Sequence, residues 1–498
     1  MNVNPITRLD YPDPDVIRVE DTYYMVSTTM HFMPGCEILQ SFDLVHWEHV
    51  TYVYETLDHT DAQQLKSGHN IYGQGMWAAS LRYHEGRFYI CFVANDTRKT
   101  YLYTSEKIDG PWKKQLIEGF YHDGSLLFDE DGRNYIVYGN DEIWITELNE
   151  DLTAPKKDGL HRLLVSDHKN PELGYEGSHI QKINGYYYIF LVHSLRDRWM
   201  RTEACFYSDS LEGEFTGGDV LCDDRGYCGQ GVAQGGIVDT PDGKWYAMLF
   251  QDSGAVGRIP ILLPVTWKDH FPVFGQNGHV PEEIEVHSTR PGYIYQPLVG
   301  SDDFCNGLLP RWQFNHDPDP RYYHLDALQG TYTITTREVC TELTQAVNTL
   351  TQRMSYPSCA AEVTVDASAL KEGDVAGLCA LQSCYAAVGI TKHHGKYEVL
   401  MLDKKEDGIL DMTEGIVVES HQIDFRLEAD FCNMKDEARC YYRVNKGDWL
   451  PIGTVHKLYF KLDHFTGCRF GLFCYAAEET GGSACFRDFK YYDVDEIS

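Results

Sequence analysis

The sequence predicts an all-β chain: a five-bladed β-propeller over residues 1–297, followed by a β-sandwich over 298–498. Three observations predict it. A hairpin-like unit recurs five times within about the first 250 residues, helical periodicity is scarce throughout, and after Phe274 the repeat gives way to short apolar stretches separated by turns.

The five copies are 13–26 (DPDVIRVEDTYYMV), 77–92 (WAASLRYHEGRFYICF), 123–137 (DGSLLFDEDGRNYIV), 176–190 (EGSHIQKINGYYYIF) and 234–248 (QGGIVDTPDGKWYAM). Four of them open on a polar or acidic lead residue and one on Trp77; each runs through a short apolar stretch and a Gly/Asp turn into an aromatic-rich strand. The interval from lead residue to anchoring tyrosine (Tyr24, Tyr89, Tyr135, Tyr187, Tyr246) is 11 or 12 residues in every copy. A constant hairpin returning at roughly 45- to 65-residue spacing is the signature of radially repeated blades. Further short stretches at 38–41 and 100–104 supply additional strands, and the phrases at 41–47 (SFDLVHW) and 208–215 (SDSLEGEF) read as outer strands ending in a packed aromatic. The segment 290–300 (RPGYIYQPLVG) reads as a linker. Beyond it, nine stretches between 332 and 476, among them 359–365, 386–391, 457–460 and 470–476, follow one another without helices, as in a sandwich of about 200 residues.

Composition narrows the function classes. At 498 residues the chain exceeds what one core supports. With 43 basic and 75 acidic residues its net charge is −32, which disfavours nucleic acid and anionic membrane and suits neutral partners. The 34 Tyr, 22 Phe and 9 Trp favour strands and offer flat faces for sugar rings. Fifteen cysteines, an odd number with no CxxC pair and ten of them in the second half, read as packing thiols of a reducing compartment rather than disulfides or zinc ligands. No basic n-region with an apolar h-region opens the chain, and no 18-residue apolar run interrupts it. The expectation is a cytoplasmic protein with no membrane or nucleic-acid partner, its homo-oligomeric state left open.

In a propeller the innermost strand of each blade runs along the axis, so equivalent strand ends converge. The lead residues Asp13, Asp123 and Glu176 of blades one, three and four should therefore meet in one funnel, joined by Trp77 and Gln234 from blades two and five. Carboxylates so crowded cannot all ionise alike; one holds its proton while another stays charged. Cleavage of a glycosidic bond needs that division between acid and base. The alternative for each acid taken singly is a turn-forming or capping residue.

The blocks YPDPDVIRVEDTYYMV, GMWAASLRYHEGRFYI, HDGSLLFDEDGRNYIVYG, EGSHIQKINGYYYIF, GGIVDTPDGKWYAMLF and GRIPILLPVTWKDHFPVFG resemble, in order, the signature blocks of glycoside hydrolase family 43. The stretches NTLTQR, DVAGLCALQ and AAVGITK resemble that family's C-terminal concanavalin-like sandwich. The resemblance implies single-displacement hydrolysis with inversion, Asp13 as general base, Glu176 as general acid, and Asp123 as the residue that orients the acid and raises its pKa. It implies that Arg258 holds a sugar hydroxyl or the acid. Phe32, in a segment similar to one lining the pocket of the family's xylosidases, and Trp77 are expected as pocket walls. No cofactor is required by the resemblance. Many relatives carry His where this chain has Gln234, which leaves calcium near the axis as an open expectation, since an amide carbonyl is a hard oxygen donor. The stretch 193–203 (HSLRDRWMRTE) is bulkier than its counterparts and bears on the leaving-group side. The expected activity is exo-acting release of terminal β-D-xylosyl or α-L-arabinofuranosyl groups from xylo- or arabino-oligosaccharides. Alternatives are an arabinan- or galactan-directed hydrolase, or a carbohydrate-binding protein without turnover.

Overall fold

The computed structural model describes residues 2–493. Five four-stranded antiparallel sheets succeed one another, each drawn from a continuous stretch of chain. Blade one comprises Asp15–Val19, Thr22–Val26, Gly35–Ser41 and Glu48–Tyr54, and the later blades begin with Met76–His84, Ser125–Phe128, Glu176–Ile183 and Ala233–Asp239. These five first strands pair only with the second strand of their own blade, and each lies against the first strands of the neighbouring blades, closing a ring about the axis. The anchoring tyrosines tie blades together: Tyr24 meets Phe88 of blade two edge-on at 5.8 Å, and Tyr89 meets Phe128 of blade three at 4.6 Å. Asn2–Val3 pairs with Glu283–Ile284 beyond blade five, so the chain start closes the ring without completing a blade.

Two expectations about strands are corrected. The phrases at 41–47 and 208–215 are turns between third and fourth strands rather than strands. In the first, Asp43 Oδ1 accepts the N–H groups of Val45 and His46, and Trp47 is buried. Of the stretch 457–460 only Lys457 is strand, the end of Leu450–Lys457; residues 458–460 are loop.

The second domain is a two-sheet sandwich, with its core centred on residues such as Trp312, Tyr332, Phe425, Phe470 and Phe486. Its larger sheet does not stop at the domain boundary. Phe32–Met33, a two-residue strand emitted by blade one, pairs with Gln313–Asn315. Around this joint Arg353 Nη1 reaches Glu37 at 2.8 Å, and Arg353 Nε donates to the Asp10 carbonyl at 2.8 Å.

Across the axis, Arg82 of blade two binds three other blades. It meets Asp15 Oδ2 at 2.8 Å, Ser125 Oγ at 2.7 Å and the Ile180 carbonyl at 3.2 Å. Asp15 also meets His179 Nδ1 at 3.1 Å. This polar plug separates the two ends of the ring and holds its strands in register.

Candidate active site

The lead residues enter the inner strands through a shared backbone device. Asp13 (φ 51°), Asp123 (φ 47°) and Gln234 (φ 66°) are left-handed, and in blades two and four the next residue is, Ala78 (φ 23°) and Gly177 (φ 66°). Bulges follow in blades two, four and five. A kink at equivalent points of all five repeats brings the lead side chains together at one end of the axis. Gly177 shows why the E-G pair is needed. Its N–H donates to Asp123 Oδ2 at 3.0 Å, and a Cβ there would stand 2.6 Å from Gln234 Cγ.

Asp13 is buried at 3% exposure and held at both oxygens: Arg258 Nη1 donates to Oδ1 at 2.6 Å and Thr28 Oγ1 to Oδ2 at 2.5 Å. Thr28 is itself aligned by accepting the Ala78 N–H at 2.8 Å. Asp252 stands between two buried guanidinium groups, 3.2 Å from Arg258 Nε and 3.0 Å from Arg201 Nε. Glu176 Oε2 accepts from Asn140 Nδ2 at 2.8 Å and faces His122 Nε2 at 3.5 Å; the same nitrogen lies 3.6 Å from Asp123 Oδ2.

These neighbours split the carboxylates electrostatically, though not as expected. Burial pushes Asp123 up to about 6, with the charges of Glu176 and Asp13 adding to it and His122 opposing. Burial works against a charged His122, but Asp123 and Glu176 outweigh it and carry the imidazole up to about 9. Burial also acts upward on Glu176, yet His122, Arg201 and Arg258 hold it below the usual carboxylate range. Repulsion between Asp123 and Glu176 acts upward on both, and on Glu176 the neighbouring cations outweigh it. Asp123, the more deeply buried of the two, keeps its proton to higher pH than Glu176, beside which the cations prevail.

Of the other anticipated residues, Trp77 reaches the site: it packs edge-on against Phe465 at 5.1 Å, with the His122 ring at 6.4 Å. Arg258 reaches it too, but grips Asp13 rather than Glu176. Phe32 as a pocket wall is corrected. It is 2% exposed, paired into the sandwich sheet, and covered by the Arg469 guanidinium at 3.4 Å from its ring centre. Gln234 lies at the site with Oε1 buried and unpartnered, and its N–H donates to Glu203 Oε2 at 2.7 Å. This donor set does not fit calcium. One neutral amide oxygen and one carboxylate fall well short of the six to eight oxygens that calcium takes.

His122, Asn140, Thr28, Arg201 and Asp252 were not singled out from sequence. His122 had the best signal, standing next to Asp123 in HDG. Phe465 had none. It arrives from the sandwich, stacks under the Arg258 guanidinium at 3.7 Å from its ring centre, and its loop is pinned where the Gly467 N–H donates to Asp10 Oδ2 at 2.7 Å and the Cys468 N–H to the Ala255 carbonyl at 2.8 Å.

Comparison with known proteins agrees with this architecture. Residues 3–272 match the family model Glycosyl hydrolases family 43, and residues 301–492 match Beta xylosidase C-terminal Concanavalin A-like domain. A beta-xylosidase of Formosa agariphila is 26% identical over 99% of this chain and 89% of its own. A xylosidase/arabinosidase of Butyrivibrio fibrisolvens is 24% identical over 99% of each. Among solved structures, a bifunctional GH43-CE protein of Bacteroides eggerthii superposes with a TM-score of 0.92 at 42% identity over 99% of this chain; the chain spans 63% of that protein's length. A GH43 glycoside hydrolase engineered to show both endo-xylanase and exo-arabinofuranosidase activity superposes at 0.86 with 27% identity over 99% of both. With one family model matching more than half of the chain and the sandwich matched separately, this chain belongs to glycosyl hydrolases family 43.

Proposed function

We infer that the protein is an exo-acting, inverting hydrolase that removes terminal β-D-xylosyl or α-L-arabinofuranosyl groups from hemicellulose-derived oligosaccharides. The observation that carries this reading is the convergence of Asp13, Asp123 and Glu176 at one end of the propeller axis, with Asp13 clamped by Arg258 and Thr28 and Asp123 bound to the N–H that follows Glu176. Asp13, clamped by Arg258 and Thr28, is the base that takes a proton from water attacking the anomeric carbon. Glu176 is the acid that protonates the departing glycosidic oxygen. Asp123 orients Glu176 through the Gly177 N–H, which it accepts. Trp77 and Phe465 supply apolar walls that suit a pentose, which lacks an exocyclic CH₂OH.

Relatives named beta-xylosidase and xylosidase/arabinosidase support both sugars, and the wall supplied by the sandwich loop supports end-on binding. All fifteen cysteines are free thiols, which supports a reducing compartment and short imported substrates. No calcium is built into the reaction.

The test is anomer-resolved NMR of the first product from nitrophenyl β-D-xyloside and nitrophenyl α-L-arabinofuranoside, followed by a xylo-oligosaccharide ladder. Inverted pentose released one unit at a time is expected. Retained configuration, internal cleavage products, or no turnover of any of these substrates would each overturn the part of the reading it addresses. An arabinan- or galactan-directed preference would appear as faster release from those polymers.

A further inference from the structure

The block that supplies Asp123 places a second titratable side chain in the site, and the reaction described above has no use for it. His122 Nε2 stands between two carboxylates, 3.5 Å from Glu176 Oε2 and 3.6 Å from Asp123 Oδ2. The nitrogen is buried, and neither approach is short enough to be a hydrogen bond. Both carboxylates call for an N–H at this nitrogen, and with two negative charges facing it the imidazolium is favoured over the neutral Nε2–H tautomer.

Glu176 is asymmetrically held. Its Oε2 receives the Asn140 amide at 2.8 Å and faces His122, and among the described residues no hydrogen bond reaches Oε1. Oε1 is therefore the oxygen available to carry and deliver a proton, and His122 is the nearest cation able to oppose that proton.

Resting on the assignment of Glu176 as general acid, the geometry points to His122 as the positioning residue that decides at which pH Glu176 holds its proton. The acid apparatus is then a His–Asp–Glu trio rather than a pair of carboxylates. The charges facing the trio come from four blades. Asp13 of blade one favours the imidazolium, as do Asp123 of blade three and Glu176 of blade four. Arg201 of blade four and Arg258 of blade five act with His122 to favour ionised Glu176, and Asp252 of blade five tempers both arginines.

The sign of the effect follows. A cation beside an acid disfavours its protonated form, so replacing His122 with a neutral residue lets Glu176 keep its proton to higher pH. An opposite charge this close is worth roughly one to three pH units. The alkaline limb of kcat/KM should move up by that amount in His122→Gln and His122→Asn, while Asn140→Ala, which removes a neutral donor, should move it much less.

The experiment measures kcat/KM against pH for the wild type and these variants on nitrophenyl xyloside, and on a dinitrophenyl glycoside whose leaving group needs no proton. The limb should rise in both His122 variants on the first substrate and be absent throughout on the second. In parallel, histidine-selective ¹⁵N NMR of the whole chain should show His122 titrating near 9 in the wild type and falling toward the ordinary histidine range in Glu176→Gln. An alkaline limb unmoved in both folded His122 variants, a shift that also appears with the dinitrophenyl substrate, or a His122 signal titrating in the ordinary range would overturn the inference. A protein that hydrolyses no glycoside would overturn the proposed function instead, and the NMR titration in wild type and Glu176→Gln would still decide whether His122 and Glu176 share charge.

Discussion

At one end of the propeller axis, Trp77 Nε1, His122 Nε2, Ser178 Oγ, Arg201 Nη1 and Gln234 Oε1 are all buried without a hydrogen-bond partner among the described residues. At the other end, the same five inner strands finish around a cavity of about 450 Å³ lined by Arg18, Arg82, Lys182, Asp239 and Trp245. There Arg18 is tied to Asp239, Arg82 to Asp15, and Lys182 to Asp129 at 2.7 Å; none of the lining side chains has an orphaned buried atom. Interiors satisfy nearly all their polar groups, so a concentration of exceptions marks where something else supplies the partners. The presence of a cavity does not by itself mark the functional end. The unsatisfied polar atoms select the end where the three lead acids stand.

The largest expected effects separate the two ends. Asp13→Ala and Glu176→Ala should each lower kcat on nitrophenyl xyloside by roughly 10³-fold with little change in melting temperature, the scale of a lost general base or acid. Glu176→Ala should recover most of its rate on a dinitrophenyl leaving group. Equal loss on both substrates would remove Glu176 from the acid role. At the far end, Arg82→Met leaves buried Asp15 without its cation and should cost about 3–5 kcal/mol, read as a lowered denaturation midpoint. A variant as stable as the wild type would show that the plug does not hold the ring.

The joint that carries Phe465 to the catalytic end differs again from the far end in its response to pH. His31, His316 and His464 are buried together, with ring centres 4.8 Å and 5.3 Å from His31. Burial, with repulsion from His464, pushes His316 down to about 3; burial, helped by the Arg469 charge, pushes His464 down to about 4 against the pull of Asp463, and His31 falls well below its ordinary value. Below pH about 6.5 the unfolded chain takes up protons that these folded histidines refuse, so stability falls as pH drops, by about 2 kcal/mol for each histidine at pH 5. At the far end burial would raise Asp15, but Arg82 and His179 hold it below its ordinary range, so its contribution persists until pH falls below 4. Buried acids raised to about 6, Asp10 and Asp436 among them, act in the opposite sense over this interval, so the cluster is read by difference: the change in midpoint from pH 7 to pH 5 should be more favourable in His316→Phe than in the wild type. The same change in both would dismiss the cluster as a source of acid sensitivity.

Smaller effects refine the catalytic end. Phe465→Ala removes the ring under Arg258 and one wall, and should lower kcat/KM roughly tenfold, the scale of a desolvated cation–π contact. Dialysis against EDTA should change the rate less than about twofold, because the Gln234 and Glu203 donors do not suit calcium.

The inner ring was legible because a blade repeats its chemistry at a constant interval, and every hairpin must bury the same face. Thus the lead positions Asp13, Trp77, Asp123, Glu176 and Gln234 could be aligned from spacing, and all five meet at one end. Neighbours such as Asn140 and Thr28 were not legible, since a short polar residue in a strand or turn looks the same whether it touches solvent or a carboxylate. The strand Ser483–Asp493 was missed for another reason: its charged and aromatic residues alternate only loosely, and its pairing with Ser358–Asp366 is not local.

By itself the sequence determined the fivefold repeat, the all-β class, and which three acids occupy equivalent positions, because these depend on periodicity within one hairpin. Only the tertiary structure decided that Phe32 belongs to the joint, that Phe465 crosses from the sandwich to the Arg258 guanidinium, that Arg258 holds Asp13, and that His122 Nε2 stands between Glu176 and Asp123. Those are matters of distance and desolvation between side chains tens to hundreds of residues apart, or of which way one ring points. Local spacing carries no information about either.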